Sequence, residues 1–267
     1  MVTKEKEQSF FGGIALSHKV MAAIQAMGFE EPSPIQARTI PPIMEGNDVI
    51  GQAQTGTGKT AAFGIPITEK VQDLRHVQAL IMTPTRELAL QVSEEIAKIG
   101  QFKRLKTLPV YGGQSIDRQI RALRFGVQIV IGTPGRLLDH IRRGTIKLDM
   151  VKILVLDEAD EMLDMGFVDD IESIMENIPR EGRQTLLFSA TMPQQIRSLA
   201  DRYMNKPVFV TVSKEQLTVP QIDQFYYETR EKLDGLCRIL DAGDMESTII
   251  FCRTKKGADE LTASLVA

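Results

Sequence analysis

The fold of this chain is decided by the stretch Val49-Ile50-Gly51-Gln52-Ala53-Gln54-Thr55-Gly56-Thr57-Gly58-Lys59-Thr60. It opens with a short apolar run typical of a strand, turns through a loop with two glycines, and continues as an alanine-rich helical pattern. A strand, a glycine-rich loop and a helix in this order match the P-loop pattern. The stretch therefore predicts a phosphate-binding loop between a strand and a helix.

The P-loop pattern assigns a role to each part of that stretch. Its glycines let the backbone N–H groups of Ala53–Thr60 converge on phosphate oxygens, and the helix N-terminus adds partial positive charge. Lys59 would reach the β- and γ-phosphates of a nucleotide such as ATP, and the Thr60 hydroxyl would bind Mg²⁺. A glycine-rich turn that carries a solvated lysine is the alternative.

A second polar group follows another apolar run. Lys152–Leu156 predicts a buried strand, and Asp157-Glu158-Ala159-Asp160 comes directly after it. Three carboxylates at the end of a buried strand are costly unless a cation or hydrogen bonds compensate for their burial. Asp157 is therefore the expected partner of Mg²⁺, and Glu158 is expected to orient or deprotonate an attacking water. An acidic helix start without a metal is the alternative.

Apolar runs and amphipathic stretches alternate along most of the chain. Because the runs are continuous, we expect strands buried on both faces of a parallel sheet covered by helices. This predicts an α/β fold, a doubly wound parallel sheet, over residues 1–210. The expected strands are Asp48–Gly51, Ala79–Thr83, Thr107–Val110, Gln128–Ile131, Ile153–Leu156, Thr185–Phe188 and Val208–Val212. The expected helices are Ser17–Met27, Lys59–Gln72, Arg86–Ile99, Ile116–Arg124, Gly135–Arg143, Val168–Asn177 and Gln194–Tyr203.

The pattern changes after residue 210. Residues 211–220 are polar and end in proline, which predicts a linker. Residues 221–267 predict strands at Ile222–Glu228 and Thr248–Cys252, a helix at Glu231–Leu240 and a helix that runs to Ala267. This segment is too short for an independent α/β domain, so we expect an incomplete second domain that packs poorly, is disordered or borrows a neighbour.

Composition excludes several classes of protein. The chain has 267 residues, of which 43% are hydrophobic and 25% charged, as in folded globular proteins. Its net charge of −3 means that any nucleic-acid binding must use a local site. We expect neither a membrane span nor a secretory signal, because no apolar run is long enough and the first residues have mixed charge. Cys237 and Cys252 are too few for a disulfide framework, which favours the cytoplasm. His18, His76 and His140 are isolated, and we expect them on the surface or in packing.

At the P-loop and at Asp157–Asp160 the sequence resembles the DEAD-box ATP-dependent RNA helicases, in particular the bacterial cold-shock type. Asp157–Asp160 spells the family name, and Gly28-Phe29-Glu30-Glu31-Pro32-Ser33-Pro34-Ile35-Gln36 resembles the family's Q motif. The resemblance implies a RecA-like domain and adds Phe11, Phe29, Ser33 and Gln36 to the nucleotide site. It implies that Gln36 reads the adenine edge and that Phe11 stacks on the ring. Without the resemblance, both phenylalanines would be expected in the core and Gln36 on a helix surface.

Further motifs of the same family follow expected strands. They are Pro84-Thr85-Arg86, Gly112-Gly113 and Thr133-Pro134-Gly135-Arg136. The resemblance implies that they bind the RNA backbone, and since backbone contacts carry no base identity, binding should be largely independent of sequence. Shaping of turns and helix caps is the alternative for their glycines and prolines. Ser189-Ala190-Thr191 resembles the motif that couples nucleotide state to unwinding, through hydrogen bonds toward Asp160.

The resemblance covers residues 11–210 and continues at Ile249-Ile250-Phe251-Cys252-Arg253-Thr254, which is similar to a strand of a second RecA-like domain. The family's His-Arg-x-Gly-Arg-x-Gly-Arg segment, which supplies an arginine to the ATP site, does not occur in these residues. The resemblance implies an ATP-dependent RNA helicase that uses ATP and Mg²⁺, binds single-stranded RNA or a short duplex, and takes part in ribosome-assembly or RNA-decay complexes. We expect these residues alone to bind nucleotide but to hydrolyse it slowly. A P-loop motor on DNA and a non-catalytic ATP-gated clamp are the alternatives.

Overall fold

The computed structural model describes residues 8–212, 225–243 and 247–266. The chain divides into two compact units, residues 1–218 and residues 219–267. The strands of the first unit are β1 (Gln8–Phe11), β2 (Ile14–Ser17), β3 (Val49–Gln52), β4 (Ala79–Met82), β5 (Thr107–Val110), β6 (Ile129–Gly132), β7 (Ile153–Leu156), β8 (Gln184–Ser189) and β9 (Val208–Thr211). Its helices are α1 (His18–Ala26), α2 (Pro34–Glu45), α3 (Lys59–Lys70), α4 (Arg86–Ile99), α5 (Ile116–Phe125), α6 (Pro134–Arg142), α7 (Ala159–Asp164), α8 (Val168–Glu176) and α9 (Gln194–Tyr203).

Seven of these strands form one parallel sheet in the order β5-β6-β4-β7-β8-β3-β9. Alternate residues of each strand point to opposite faces. Leu80 and Leu154 therefore join a hydrophobic cluster with α6, α7, α8 and α9, whereas Ile81 and Val155 join a cluster with α2, α3 and α4. Helices cover both faces of the sheet, which confirms the predicted α/β fold.

The sheet order brings the ends of three strands together. β7, β8 and β3 are neighbours, so the segments that follow them meet at one edge of the sheet. Backbone register places Gly51 beside Phe188, whose ring would lie 2.6 Å from a Cβ at position 51. Glycine at this position therefore allows β3 to lie against the large side chain of β8.

Several elements of the first unit had no counterpart in the sequence prediction. The hairpin of β1 and β2 packs its buried residues with α1 in a third cluster. Helix α2 begins with Pro34 and contains Pro41 and Pro42, and a sequence with prolines at these spacings does not predict a helix. It forms because Pro34 stands at its first turn and Ser33 caps it.

The second unit differs from its prediction. Its described helices are α10 (Lys232–Ala242) and α11 (Lys255–Val266), and none of its described residues is buried. The strand predicted at Thr248–Cys252 is absent: these residues form no β-structure, and Phe251 is 92% exposed. A strand needs a paired neighbour, and the described residues of this unit offer none. Of the strand predicted at Ile222–Glu228, residues 222–224 lie outside the described residues and 225–228 form no strand. Most of the predicted linker, residues 213–220, also lies outside them.

Candidate functional site

The conformation of the loop between β3 and α3 is fixed by two glycines and by hydrogen bonds to its backbone. Gly56 and Gly58 adopt left-handed φ angles of 80° and 86°, which favour glycine. Thr57 Oγ1 donates a 2.8 Å hydrogen bond to the carbonyl of Gln54, and this bond closes the turn. Ala53 N–H donates to the carbonyl of Ser189 at 3.1 Å, which ties the start of the loop to β8. The loop thus has the shape that an anion cradle requires.

Lys59 is the first residue of α3 and is only 6% exposed. Among the described residues, its Nζ is one of the buried side-chain nitrogen and oxygen atoms without a hydrogen-bond partner. A buried ammonium group without a partner costs free energy, and an anion bound at the loop would remove that cost. The lysine therefore fits a phosphate ligand better than the alternative of a solvated side chain.

Asp157 lies at the end of β7 and is 3% exposed. Its N–H donates to the carbonyl of Met82 at 3.0 Å, and its Oδ1 accepts the N–H of Glu158 at 3.1 Å. Burial raises the pKa of Asp157 to about 7; Glu158 and Glu95 add to the rise and Lys59 opposes it. A carboxylate held in this way is well suited to a divalent cation, which would favour its charged form.

Glu158 adopts a left-handed backbone conformation with φ of 50° and precedes the first residue of α7. Non-glycine residues occupy this region at a cost, and such strain concentrates at functional sites. Burial also raises the pKa of the Glu158 carboxyl, with Lys59 opposing the rise. The loop and the acidic segment share one cleft of about 180 Å³. It is lined by Thr55, Lys59, Pro84, Thr85, Glu158, Asp160, Glu161 and Ala190.

Glu95 of α4 is a residue of this site that sequence reasoning missed. Burial raises the pKa of its carboxyl, and the neighbouring Lys98 and Thr60 side chains oppose that rise. Its charge also acts on Asp157. The available signal was its position beside Ile96 and three residues after Val92, which places a carboxylate on the inward face of an amphipathic helix.

Asp160 joins the acidic segment to the segment after β8. Its N–H donates to Ser189 Oγ at 3.3 Å, and its Oδ2 accepts both the N–H and the Oγ1–H of Thr191, at 2.8 and 2.9 Å. Burial opposes ionisation of this carboxyl, but the bonds from Ser189 and Thr191 hold its pKa below the ordinary value. A movement of the acidic segment would therefore displace the segment after β8, and the reverse.

Gln36 lies behind the loop rather than on a helix surface. It is 1% exposed; its Oε1 accepts the N–H of Ser33 at 3.0 Å, and its Nε2 donates to the carbonyl of Gly58 at 3.1 Å. Ser33 Oγ donates to the carbonyl of Thr57 at 2.8 Å. The expectation of an exposed Gln36 is therefore wrong, because α2 packs this residue against the loop.

The two phenylalanines assigned to the nucleotide site belong to one hydrophobic cluster or pack against it. Phe11 is 1% exposed and packs with the hydrophobic cluster of the hairpin and α1. Phe29 is half-buried against the same cluster. The stacking role that the resemblance implies for Phe11 stays a prediction. The hydrophobic packing of this cluster accounts for its position.

The segments expected to bind RNA meet at the same edge of the sheet. Arg86 lies over the Tyr111 ring, with its Cζ 4.9 Å from the ring centroid. Gly112 and Gly113 follow Tyr111 and are exposed. Thr133 N–H donates to the carbonyl of Val110 at 3.0 Å, which joins the third segment to the second.

Arg136 points into this group of loops. Its side chain is 16% exposed and donates from Nη1 to the carbonyl of Gln114 at 3.1 Å. Its outer partner is Asp139, at 4.0 Å. In this arrangement Arg136 braces the loop of residues 111–114.

His140 lies in the interior, one of the two places expected for it, and its ring contacts polar side chains. It is fully buried, its Nε2 lies 2.9 Å from Gln119 Oε1, and its Nδ1 lies 2.8 Å from Thr145 Oγ1. Gln119 is 2% exposed. Sequence reasoning missed both residues, because their partners are distant along the chain.

Among the described residues, no helix combines the length and the apolar composition that a membrane span needs. No group of three or more histidine, cysteine, aspartate or glutamate side chains in the described ranges could hold a metal ion. A Mg²⁺ site at Thr60 and Asp157 would therefore need oxygens from a bound ligand or water, as is usual for this cation.

Comparison with known proteins gives consistent matches. A family model described as DEAD/DEAH box helicase matches residues 33–199. The DEAD-box ATP-dependent RNA helicase CshA of Geobacillus kaustophilus is 58% identical over 258 residues, which cover 96% of this chain and 55% of that protein. CshA of Bacillus subtilis is also 58% identical over 258 residues, covering 96% of this chain and 52% of its own. The chain thus spans about half the length of these relatives.

Solved structures agree with the sequence matches. A DEAD box protein from Methanococcus jannaschii has a TM-score of 0.74 and 42% identity, and the match covers 98% of this chain and 71% of that one. A hypothetical ATP-dependent RNA helicase from Sulfolobus tokodaii has a TM-score of 0.68 and 40% identity, covering 73% of this chain and 56% of that one.

Proposed function

Because the chain belongs to the DEAD/DEAH box helicase family, we propose that it forms the nucleotide-binding and part of the RNA-binding machinery of an ATP-dependent RNA helicase. One observation carries this proposal. The buried, unpartnered Lys59, where the P-loop enters α3, shares a cleft with Glu158 and lies close enough to lower the pKa of Asp157. A nucleoside triphosphate with its Mg²⁺ would balance these charges, since its phosphates would pair with the lysine and its metal with the carboxylates.

The residues of the cleft fit Mg²⁺-bound ATP. The backbone of Ala53–Thr60 and the Lys59 ammonium would hold the phosphates, while Thr60 and Asp157 would hold Mg²⁺. Bound there, the metal would supply charge neutralisation at the phosphates. Glu158 would accept a proton from the attacking water, because its raised pKa brings it nearer to neutral pH.

RNA binding is proposed for the three loops at the same sheet edge. Arg86, the exposed Gly112-Gly113 backbone and the N-terminal turn of α6 offer donors to phosphate oxygens. Asp160 is hydrogen-bonded to Ser189 and Thr191, and through these bonds it would couple the state of the nucleotide to the segment after β8.

We also propose a cytoplasmic location and a place in ribosome-assembly or RNA-decay complexes, both from the family resemblance.

Nucleotide binding tests the first part of the proposal. Titration of the chain with a fluorescent ADP analogue and Mg²⁺ should show saturable binding that Lys59→Ala abolishes. Lys147→Ala, which removes an exposed lysine outside the cleft, should leave binding unchanged. Equal affinity in the Lys59→Ala variant would refute the assignment of the P-loop.

RNA binding and turnover test the second part. A labelled oligouridylate should bind more tightly than the matching oligodeoxyuridylate, and binding should weaken as salt rises. Equal affinity for the two would favour the DNA-motor alternative. We expect the 267-residue chain alone to hydrolyse ATP slowly. Glu158→Gln should abolish RNA-stimulated turnover in a protein with the full length of the relatives, and retained turnover would remove its role as base.

A further inference from the structure

Gln119 on α5 is buried and uses both ends of its amide. Its Nε2 donates to the carbonyl of Tyr111 at 3.1 Å and lies 3.3 Å from Gln114 Oε1. Its Oε1 accepts from Arg136 Nη1 at 3.3 Å and from His140 Nε2 at 2.9 Å. A fully engaged amide of this kind fixes the positions of its partners, because each broken bond would leave a buried polar group unpaired.

His140 fixes the orientation of that amide. Gln119 Oε1 can only accept, so His140 Nε2 must carry a proton. Nδ1 then accepts from Thr145 Oγ1–H at 2.8 Å, a proton that the hydroxyl shares with the His140 carbonyl at 3.2 Å. Burial lowers the pKa of His140, with the positive charge of Arg136 adding to the effect and Asp139 opposing it. The neutral Nε2–H imidazole therefore satisfies both neighbours and selects one orientation of Gln119.

Gln119 connects two loops that are separate in sequence. One contains Tyr111 and the exposed Gly112-Gly113 backbone, and the other begins α6 with Arg136. Arg136 itself donates to the carbonyl of Gln114, so the two loops are joined both directly and through Gln119. The spacing between the phosphate donors of the two loops therefore depends on this buried amide.

We propose that Gln119, oriented by His140, is a positioning residue that holds the Gly112-Gly113 loop and the start of α6 in one arrangement for the RNA backbone. It contacts no RNA itself and acts through Tyr111, Gln114 and Arg136. This inference rests on the proposed RNA binding of the two loops. Fixed spacing matters because adjacent phosphates of a strand must meet both loops at once.

The test compares RNA affinity, nucleotide affinity and local hydrogen exchange in matched variants. Gln119→Ala should weaken binding of labelled oligouridylate by about tenfold, leave Mg²⁺-ADP affinity unchanged and speed amide exchange at residues 111–115. His140→Ala should do the same. His140→Gln should restore affinity, because its amide nitrogen can take the place of the Nε2 donor. Ile24→Val in α1, which loses stability in another cluster, should leave RNA affinity unchanged.

Each outcome decides the inference. RNA affinity of Gln119→Ala within about twofold of wild type would overturn it, and so would an equal loss in Ile24→Val. If Gln119→Ala fails to fold, the His140→Ala and His140→Gln pair decides by the presence or absence of rescue. If the wild-type chain binds no oligouridylate, the proposed RNA function fails. Amide exchange at residues 111–115 then still decides whether Gln119 holds the loop, and unchanged exchange would overturn that too.

Discussion

A glycine at position 58 shows how one residue joins two motifs. Its φ of 86° favours glycine, and an added Cβ would lie 2.5 Å from Gln36 Nε2. Gly144 offers a matched comparison, because its φ is 62° but nothing lies within 4 Å of an added Cβ. The two glycines therefore separate backbone strain from crowding.

Gly144→Ala should lower the free energy of unfolding by about 1 kcal/mol and leave nucleotide affinity unchanged. Gly58→Ala should cost more and weaken binding of Mg²⁺-ADP by about tenfold or more, because Gln36 must move away from the loop. Urea unfolding and fluorescence titration of both variants measure the difference. Equal effects of the two substitutions would contradict the contact between Gln36 and the loop.

The buried carboxylate of Asp157 lowers the free energy of unfolding of the ligand-free chain. Its folded-state pKa of about 7 lies above the ordinary value of 3.8, so its carboxylate opposes folding once it ionises. This penalty is absent below pH 4, grows as the pH rises, and is complete above pH 7. A shift of this size corresponds to up to about 4 kcal/mol.

Asp157→Asn should therefore stabilise the ligand-free chain at pH 8, and the gain should vanish near pH 4. Urea unfolding at the two pH values measures it. Asp164→Asn, at an exposed position on α7, is the control and should change little at either pH. A gain that is the same at pH 4 and pH 8 would show that burial of the charge is not its source.

Residues differ in how far the sequence reveals them. Lys59 and Asp157 could be predicted because a motif fixes each within a few neighbours and after a strand. Gln119 and His140 could not, since their interactions join positions 21 residues apart and depend on how α5 packs against α6. Phe11 is a different case: its ring packs in a hydrophobic cluster, as its apolar character alone predicts, and the ligand contact that the family resemblance implies stays a prediction.

At the scale of elements, the seven strands of the sheet were predictable because buried parallel strands are continuous apolar runs. Helix α2 was not, since Pro41 and Pro42 inside it argue against a helix and only Pro34 suits a first turn. The strand at Thr248–Cys252 was predicted from its apolar run and from the family resemblance, but pairing needs a neighbour that the described residues do not provide.

Asp48 shows how side chains order the sheet. It precedes β3, and its Oδ1 and Oδ2 accept the N–H groups of Thr185 and Asn205, both at 2.7 Å. Asp48→Ala should lower the free energy of unfolding by about 2–4 kcal/mol, since it leaves two N–H groups without their acceptors. Asp48→Asn keeps one acceptor and should cost less. Urea unfolding compares them, and an unchanged free energy of unfolding in Asp48→Ala would mean that the two bonds do not stabilise the sheet.

At the scale of the whole molecule, the two units differ in burial. The first has clusters on both faces of its sheet, whereas no described residue of α10 or α11 is buried. Amides of α10 and α11 should therefore exchange rapidly with solvent, while those of β4 and β7 should be protected up to global unfolding. Hydrogen exchange with mass spectrometry measures this, and equal protection in both units would contradict it.

The most direct test of the central claim replaces Mg²⁺ with Fe²⁺ in the presence of ATP and maps cleavage of the backbone by locally generated hydroxyl radicals. If nucleotide and metal lie between the P-loop and the acidic segment Asp157–Asp160, cuts should appear both near Thr60 and near Asp157. Both cuts should disappear in Lys59→Ala. Cleavage at only one of these segments, or at both without nucleotide, would contradict the account.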